Sequence, residues 1–123
     1  MADIKAVRWM DTPEDKDYPA ATSYLGLLLP DAQVAPLIQA LQAAPLTRFK
    51  AKDIMRASAL PVLPADNTHV QKDRKKMQEG SPLSPVLLVR YPALGKVLVA
   101  DGYHRLCAVY WVGEDEWIPC KIA

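Results

Sequence analysis

The sequence predicts an α+β domain: a small mixed β-sheet flanked by helices, with a helical extension at its N-terminus. Three observations lead there. Residues 31–44 repeat apolar side chains at the spacing of a helix, and residues 18–29 before them are densely apolar. Two apolar runs, 85–91 and 96–100, are separated by four turn residues and followed by a second helical pattern and a short closing run at 117–122. Finally, the 123 residues hold 11 prolines and only 5 glycines. Prolines end helices and leave sheets early, so the elements must be short; a long coiled coil and long glycine-flexible loops are excluded.

Residues 1–17 are polar and acidic, with Trp9 and Met10 as expected anchors. A first helix is predicted over 18–29. A second runs over about 31–44, where Val34, Leu37, Ile38 and Leu41 follow i, i+3, i+4, i+7 spacing. Asp31 is its expected N-cap and Pro45 its stop. Pro36 lacks an N–H, which argues for a start later than Asp31. A short third helix fits 51–58. Residues 60–64 hold two prolines and are expected as extended, edge-like chain. Asn67 or Thr68 caps a fourth helix that ends at Glu79, with Gly80 just beyond it. Pro82 and Pro85 frame a turn. The run 85–91 reads as a strand buried on both faces, and 92–95 turn the chain into a second strand at 96–100, forming an antiparallel hairpin. A fifth helix is predicted over 102–112, with Tyr103, Leu106, Cys107 and Tyr110 on one face and Gly113 at its end. Residues 117–122 form a last short strand, and Trp111 and Trp117 are expected in the core or an interface.

A net charge of +1 excludes a uniformly basic nucleic-acid binder. That balance hides an uneven distribution. Residues 1–46 carry three Lys/Arg and six Asp/Glu, residues 47–80 carry eight and four, and the remainder four and four. The middle is a basic band: Arg48, Lys50, Lys52 and Arg56, then Lys72, Arg74, Lys75 and Lys76. It reads as solvated helix faces or as a surface for an anionic partner such as nucleic acid, and the interleaved Asp53, Asp73 and Glu79 weaken the second reading. The longest apolar run, 25–29, falls far short of the ~20 residues of a membrane span. Met1–Lys5 shows no basic lead into an apolar segment, so neither a secretory signal nor a membrane partner is expected. Cys107 and Cys120 give no disulfide framework, and with the two histidines they lack zinc-site spacing. A cytoplasmic protein with reduced thiols is the expectation.

Chemistry concentrates where the second strand meets the fifth helix, at Asp101-Gly102-Tyr103-His104-Arg105. The first N–H groups of a helix lack internal partners and sit at its positive end, which favours an anion. Gly102 permits close approach to the backbone. Arg105 presents a fork suited to phosphate oxygens, and His104 can move a proton near neutral pH. Asp101 repels a bare phosphate but is able to hold a Mg²⁺ that bridges phosphates. The alternative is purely structural: Asp101 as an N-cap, Gly102 as a packing glycine, His104 partly buried and Arg105 at the surface. Asn67-Thr68-His69 reads in the same two ways, as a helix cap or as part of a ligand site.

The loop "VLVADGYHRLCA", together with "PLSPVLLV" before it and "WIPCKI" after it, resembles the ParB/sulfiredoxin-like superfamily, and "LPVLPADNTHVQKDRKKMQEG" is similar to the segment that leads into that core. The likeness spans residues 49–123; residues 1–48 lie outside it as the helical extension. It implies a nucleotide or phosphate-containing ligand held by Gly102, Tyr103, His104 and Arg105. In sulfiredoxins the loop reads F-G-G-C-H-R and its cysteine is the nucleophile; Tyr103 stands in that place, so sulfiredoxin chemistry is not implied. In chromosome-partitioning ParB proteins a G-E-R-R-like loop binds nucleotide phosphates, and Gly102 and Arg105 match it. Free-serine kinases carry D-G-H-H-R, which Asp101, Gly102, His104 and Arg105 match, with Tyr103 the one departure. That branch implies catalytic roles for Asp101 and His104, Asp101 as metal ligand, and Mg²⁺ with ATP, ADP or CTP as cofactor. Its carboxylate base has no motif here, and Asp66 and Asp53 are the residues to consider. Three functions follow: a nucleotide- or phosphate-binding domain, a phosphotransferase acting on a small hydroxyl compound, and a non-catalytic DNA- or protein-interaction module resting on the basic band.

Overall fold

A computed structural model describes residues 6–123; the reading of Met1–Lys5 lies outside the described residues. The elements follow one another as α1 (Asp17–Leu28), α2 (Asp31–Ala43), β1 (Thr47–Lys50), α3 (Ala51–Ser58), α4 (Thr68–Gln78), β2 (Val86–Tyr91), β3 (Lys96–Asp101), α5 (Tyr103–Val112) and β4 (Trp117–Ile122). The sheet order is β1-β4-β2-β3. β1 pairs antiparallel with β4 and β2 antiparallel with β3, while β4 lies parallel to β2. This is an α+β fold with a small mixed sheet and helices on both faces.

Alternation along the strands builds two cores. Val86, Leu88, Val99, Ile118 and Cys120 point to the side of α3, α4 and α5, where they meet Ile54, Val70, Met77, Leu106 and Val109. Leu87, Val89, Leu98 and Ala100 point the other way and are covered by Ala21, Leu25, Val34 and Leu41 of α1 and α2. Residues 86–89 are therefore buried on both faces, as their continuous apolar run predicts. The N-terminal helices form the second layer of the sheet, and β1 runs across position 48. Lys121 Nζ donates to Gln42 O at 2.8 Å, placing a cation at the C-terminal end of α2. Trp9 anchors the leading segment by a bridge to Leu83, and Met10 N–H donates to Leu83 O.

Several expectations need correction. α2 starts at Asp31 with Pro36 inside it, and the cap position belongs to Pro30. Pro36 and Ala32 are both exposed, so the Ala32 carbonyl that the missing N–H leaves unpaired lies on the solvent side of the helix. β1 is a strand that a four-residue segment with three polar residues did not announce. Residues 60–64 make no sheet edge. They run extended against α5, pinned by three contacts: Trp111 Nε1–H to Leu63 O (2.7 Å), Tyr103 Oη–H to Pro61 O, and Leu63 N–H to Cys107 Sγ (3.5 Å). Trp111 and Trp117 are 46% and 45% exposed, at the surface rather than in a core. α5 begins at Tyr103, with Gly102 as its cap.

Candidate functional site

The 101–105 loop opens into a cleft of about 570 Å³ between the N-terminal end of α5 and one face of α4. α4 is oriented by its cap. Asn67 Oδ1 accepts the N–H groups of His69 (3.0 Å) and Val70 (3.2 Å). Val70, Asp73 and Met77, at i, i+3, i+7, face inward. That register sets His69, Lys72 and Lys76 along the side that borders α5, with Lys75 and Glu79 also on the cleft wall.

The junction is shaped by Gly102. Its φ of +106° lies in the left-handed region. A Cβ there would sit 2.9 Å from both Arg105 Nη2 and Val86 Cγ2. The space left by the missing side chain is filled by the chain's own Arg105, which folds back over the glycine. Just before it, the β2–β3 register shifts between Leu87 and Leu88, so that β3 carries one extra residue ahead of Asp101.

Arg105 is tied to an internal carboxylate pair. Its Nη2 donates to Asp101 Oδ2 at 2.8 Å, reaches Pro85 O at 3.5 Å and lies 4.0 Å from Asp17 Oδ2. Asp17 is 3% exposed and accepts the Ser84 hydroxyl and the Glu14 N–H (3.1 Å). Burial pushes the Asp101 carboxyl up from its ordinary range; Arg105 opposes that shift and neighbouring Asp17 adds to it. The Arg105 Nε–H is buried without a partner.

The rest of the cleft centres on two histidines. The rings of His69 and His104 stand 4.7 Å apart, centroid to centroid, and the Tyr103 ring lies 5.7 Å from His104. Partial burial and neighbouring His69 lower the His104 pKa, while Asp73 opposes the drop. Burial raises the Asp73 carboxyl, against the pull of Lys76, Arg105 and the two histidines.

All five expected site residues, Asp101, Gly102, Tyr103, His104 and Arg105, therefore line one cleft. Asp53 and Asp66 do not: Asp53 pairs with Arg56 on α3 at 3.6 Å, and Asp66 lies beside Gln71 and Arg74 on another surface. The cleft also takes in Lys72 and Lys76 of the basic band, with Asp73 between them, and behind it lie Asp17 and Ser84. For α4 the signal was present in the i, i+3, i+4, i+7 spacing of His69, Lys72, Asp73 and Lys76. Nothing local marks Asp17 or Ser84. Among the described residues no group of three or more His, Cys, Asp or Glu is placed to hold a metal ion. Asp101, the expected Mg²⁺ ligand, is paired through Oδ2 with the Arg105 cation at 2.8 Å. Cys107 and Cys120 are buried free thiols, and burial raises both, Cys120 to about 12. Among the described residues no helix is long and apolar enough to cross a membrane. No family model, no curated protein and no solved structure matches the chain.

Proposed function

We propose that this is a phosphate-binding domain of the ParB/sulfiredoxin-like kind, taking a nucleotide or a related phosphate-bearing small molecule in the cleft beside the 101–105 loop. One observation carries the reading. The amino end of α5, His104, His69, Lys72 and Lys76 converge on a single 570 Å³ cleft. A helix amino end and flanking ammonium groups favour the same ligand charge, and the volume is that of a small-molecule site. Arg105 serves as the frame of the loop while Asp101 holds it. Any Mg²⁺ would arrive with the phosphates.

Calorimetric titration with ATP, ADP and CTP, each with and without Mg²⁺, tests this. The expected result is saturable binding that the Lys72→Ala/Lys76→Ala double variant weakens roughly tenfold, about 1.4 kcal/mol. Absence of binding by all three nucleotides and by inorganic phosphate overturns it.

A second reading, phosphoryl transfer to a small hydroxyl compound, is favoured by Asp73. It is a cleft carboxylate with a raised pKa, the kind of general base that the sequence left unassigned. Mg²⁺-dependent turnover of ATP that Asp73→Asn abolishes without loss of ATP binding supports it; turnover unaffected by that change removes it.

A further inference from the structure

The charges around the cleft do not match those of a fully ionised phosphate. Its wall carries Lys72, Lys75, Lys76 and Arg105 against Asp73, Glu79 and Asp101. On the wall itself four cations against three carboxylates leave at most a single positive charge while both histidines are neutral, and Asp17 behind Arg105 reduces it further. That matches at most a phosphodiester, which carries one negative charge. A phosphomonoester near neutral pH carries close to two. The residues able to supply the missing charge are His69 and His104, whose rings lie 4.7 Å apart on the same cleft wall.

We propose that the ligand is a phosphomonoester in its dianionic form, bound together with one proton that the His69–His104 pair takes up from solvent. This rests on the phosphate-binding reading and specifies its substrate class. Without a ligand, partial burial and the neighbouring His69 ring disfavour a proton on His104. A dianion beside them reverses the balance, because the bound phosphate oxygens accept hydrogen bonds from a protonated ring.

The groups facing the pair from each side are accounted for. From α4 come Lys72, Lys75 and Lys76, whose charge opposes protonation, and Asp73 and the more distant Glu79, whose charge favours it. From α5 come Tyr103, Arg105 and the positive helix end. From β3 comes Asp101, and from α1 Asp17, both turned to Arg105. The carboxylates nearest the loop are thus spent on Arg105, and the proton on the pair is left to answer the ligand.

Sulfate is the probe that isolates the protein's own proton, since it stays dianionic across the range where a phosphomonoester itself titrates. Sulfate is titrated by calorimetry from about pH 8 to pH 5.5, the range in which histidine titrates, in buffers of different ionisation enthalpy. Expected are uptake of close to one proton per sulfate and an affinity that rises by up to about tenfold for each pH unit lowered. His69→Gln and His104→Gln should each keep the fold, checked by circular dichroism, and flatten the pH slope. Dimethyl phosphate, a monoanionic diester, should bind more weakly and without that slope. Sulfate binding with no proton uptake, or a diester that binds as tightly as sulfate, overturns the dianion proposal and leaves the phosphate site standing. Failure of every anion to bind at every pH overturns both.

Discussion

The basic band of the sequence ends up as two clusters with different fates. On the β1 side, Arg48 stacks over the Trp117 ring at 4.5 Å, and Lys50 and Lys52 both reach Asp115, at 3.6 and 2.7 Å. These cations are answered by exposed groups of their own chain. On the α4 side, Lys72 and Lys76 border a concave wall with two histidines and the start of a helix. Similar residues only some twenty positions apart thus make a self-satisfied surface in one place and line the proposed anion cleft in the other. The difference lies in curvature and in which carboxylates come near, since Asp73 is buried and Asp101 is turned to Arg105 while the exposed Asp115 pairs with both lysines. Density of charge along a chain therefore does not locate a site; the geometry that leaves charge unanswered does.

The comparison can be broken most severely at the glycines beside each cluster. Gly102→Val places a side chain against Val86 and Arg105 at a positive φ. It should lower stability by about 2–4 kcal/mol and abolish anion binding, read by chemical denaturation and calorimetry. Gly113→Ala, in the loop that carries Asp115, meets its nearest neighbour at 3.4 Å on extended backbone and should change stability by less than about 1 kcal/mol. Equal losses at the two sites would remove the distinction between them.

Next in size is a swap of lysines for alanines. Lys72→Ala/Lys76→Ala should weaken nucleotide or sulfate binding roughly tenfold, whereas Arg48→Ala/Lys50→Ala should change it less than about twofold. A larger effect from the β1 pair would move the site to that face. Asp73→Asn sharpens the contrast in the opposite direction. Removing a cleft carboxylate should tighten sulfate binding severalfold. Because burial raises its pKa, Asp73 contributes stability that is present at acid pH and lost as pH rises through its folded value. The melting temperature of Asp73→Asn at pH 7 should therefore not fall below that of the parent.

His104 has the reverse sign. Its pKa is lowered, so its contribution is present above the ordinary histidine value of 6.5 and is lost as pH falls through the folded value. The ligand-free protein should lose melting temperature as pH falls below about 6.5, and His104→Gln should flatten that loss. Smallest of all is Asp115→Ala. Lys52 lowers the Asp115 pKa, yet both groups are exposed, and no change in melting temperature is expected at moderate salt.

Much of the fold was legible because its signals are local. The apolar run at 86–89 needs no partner to read as a buried strand, and α4 is bounded by the Asn67 side chain, which accepts its first N–H groups, and by Gly80, whose backbone takes a positive φ. Residues 101–105 were legible for the same reason: a strand, a glycine and a helix in sequence define an anion-favouring end. β1 was not legible, since four residues of which three are polar become a strand only when β4 offers its hydrogen bonds. Residues 60–64 were misread because the groups that hold them, Tyr103 and Trp111, lie some 40 positions or more away.

The sequence by itself determined the two-layered apolar pattern, the short elements imposed by the prolines and the position of the strand-to-helix loop. The tertiary structure alone decided what that loop does with its charges. It turned Arg105 inward over Gly102, to Asp101 and towards Asp17, a residue more than eighty positions earlier. It also brought His69 from another helix against His104. Periodicity fixes which side of an element is apolar, because burial is set by spacing. Which ionised groups remain free depends on the distances between elements, and those exist only once the layers have packed.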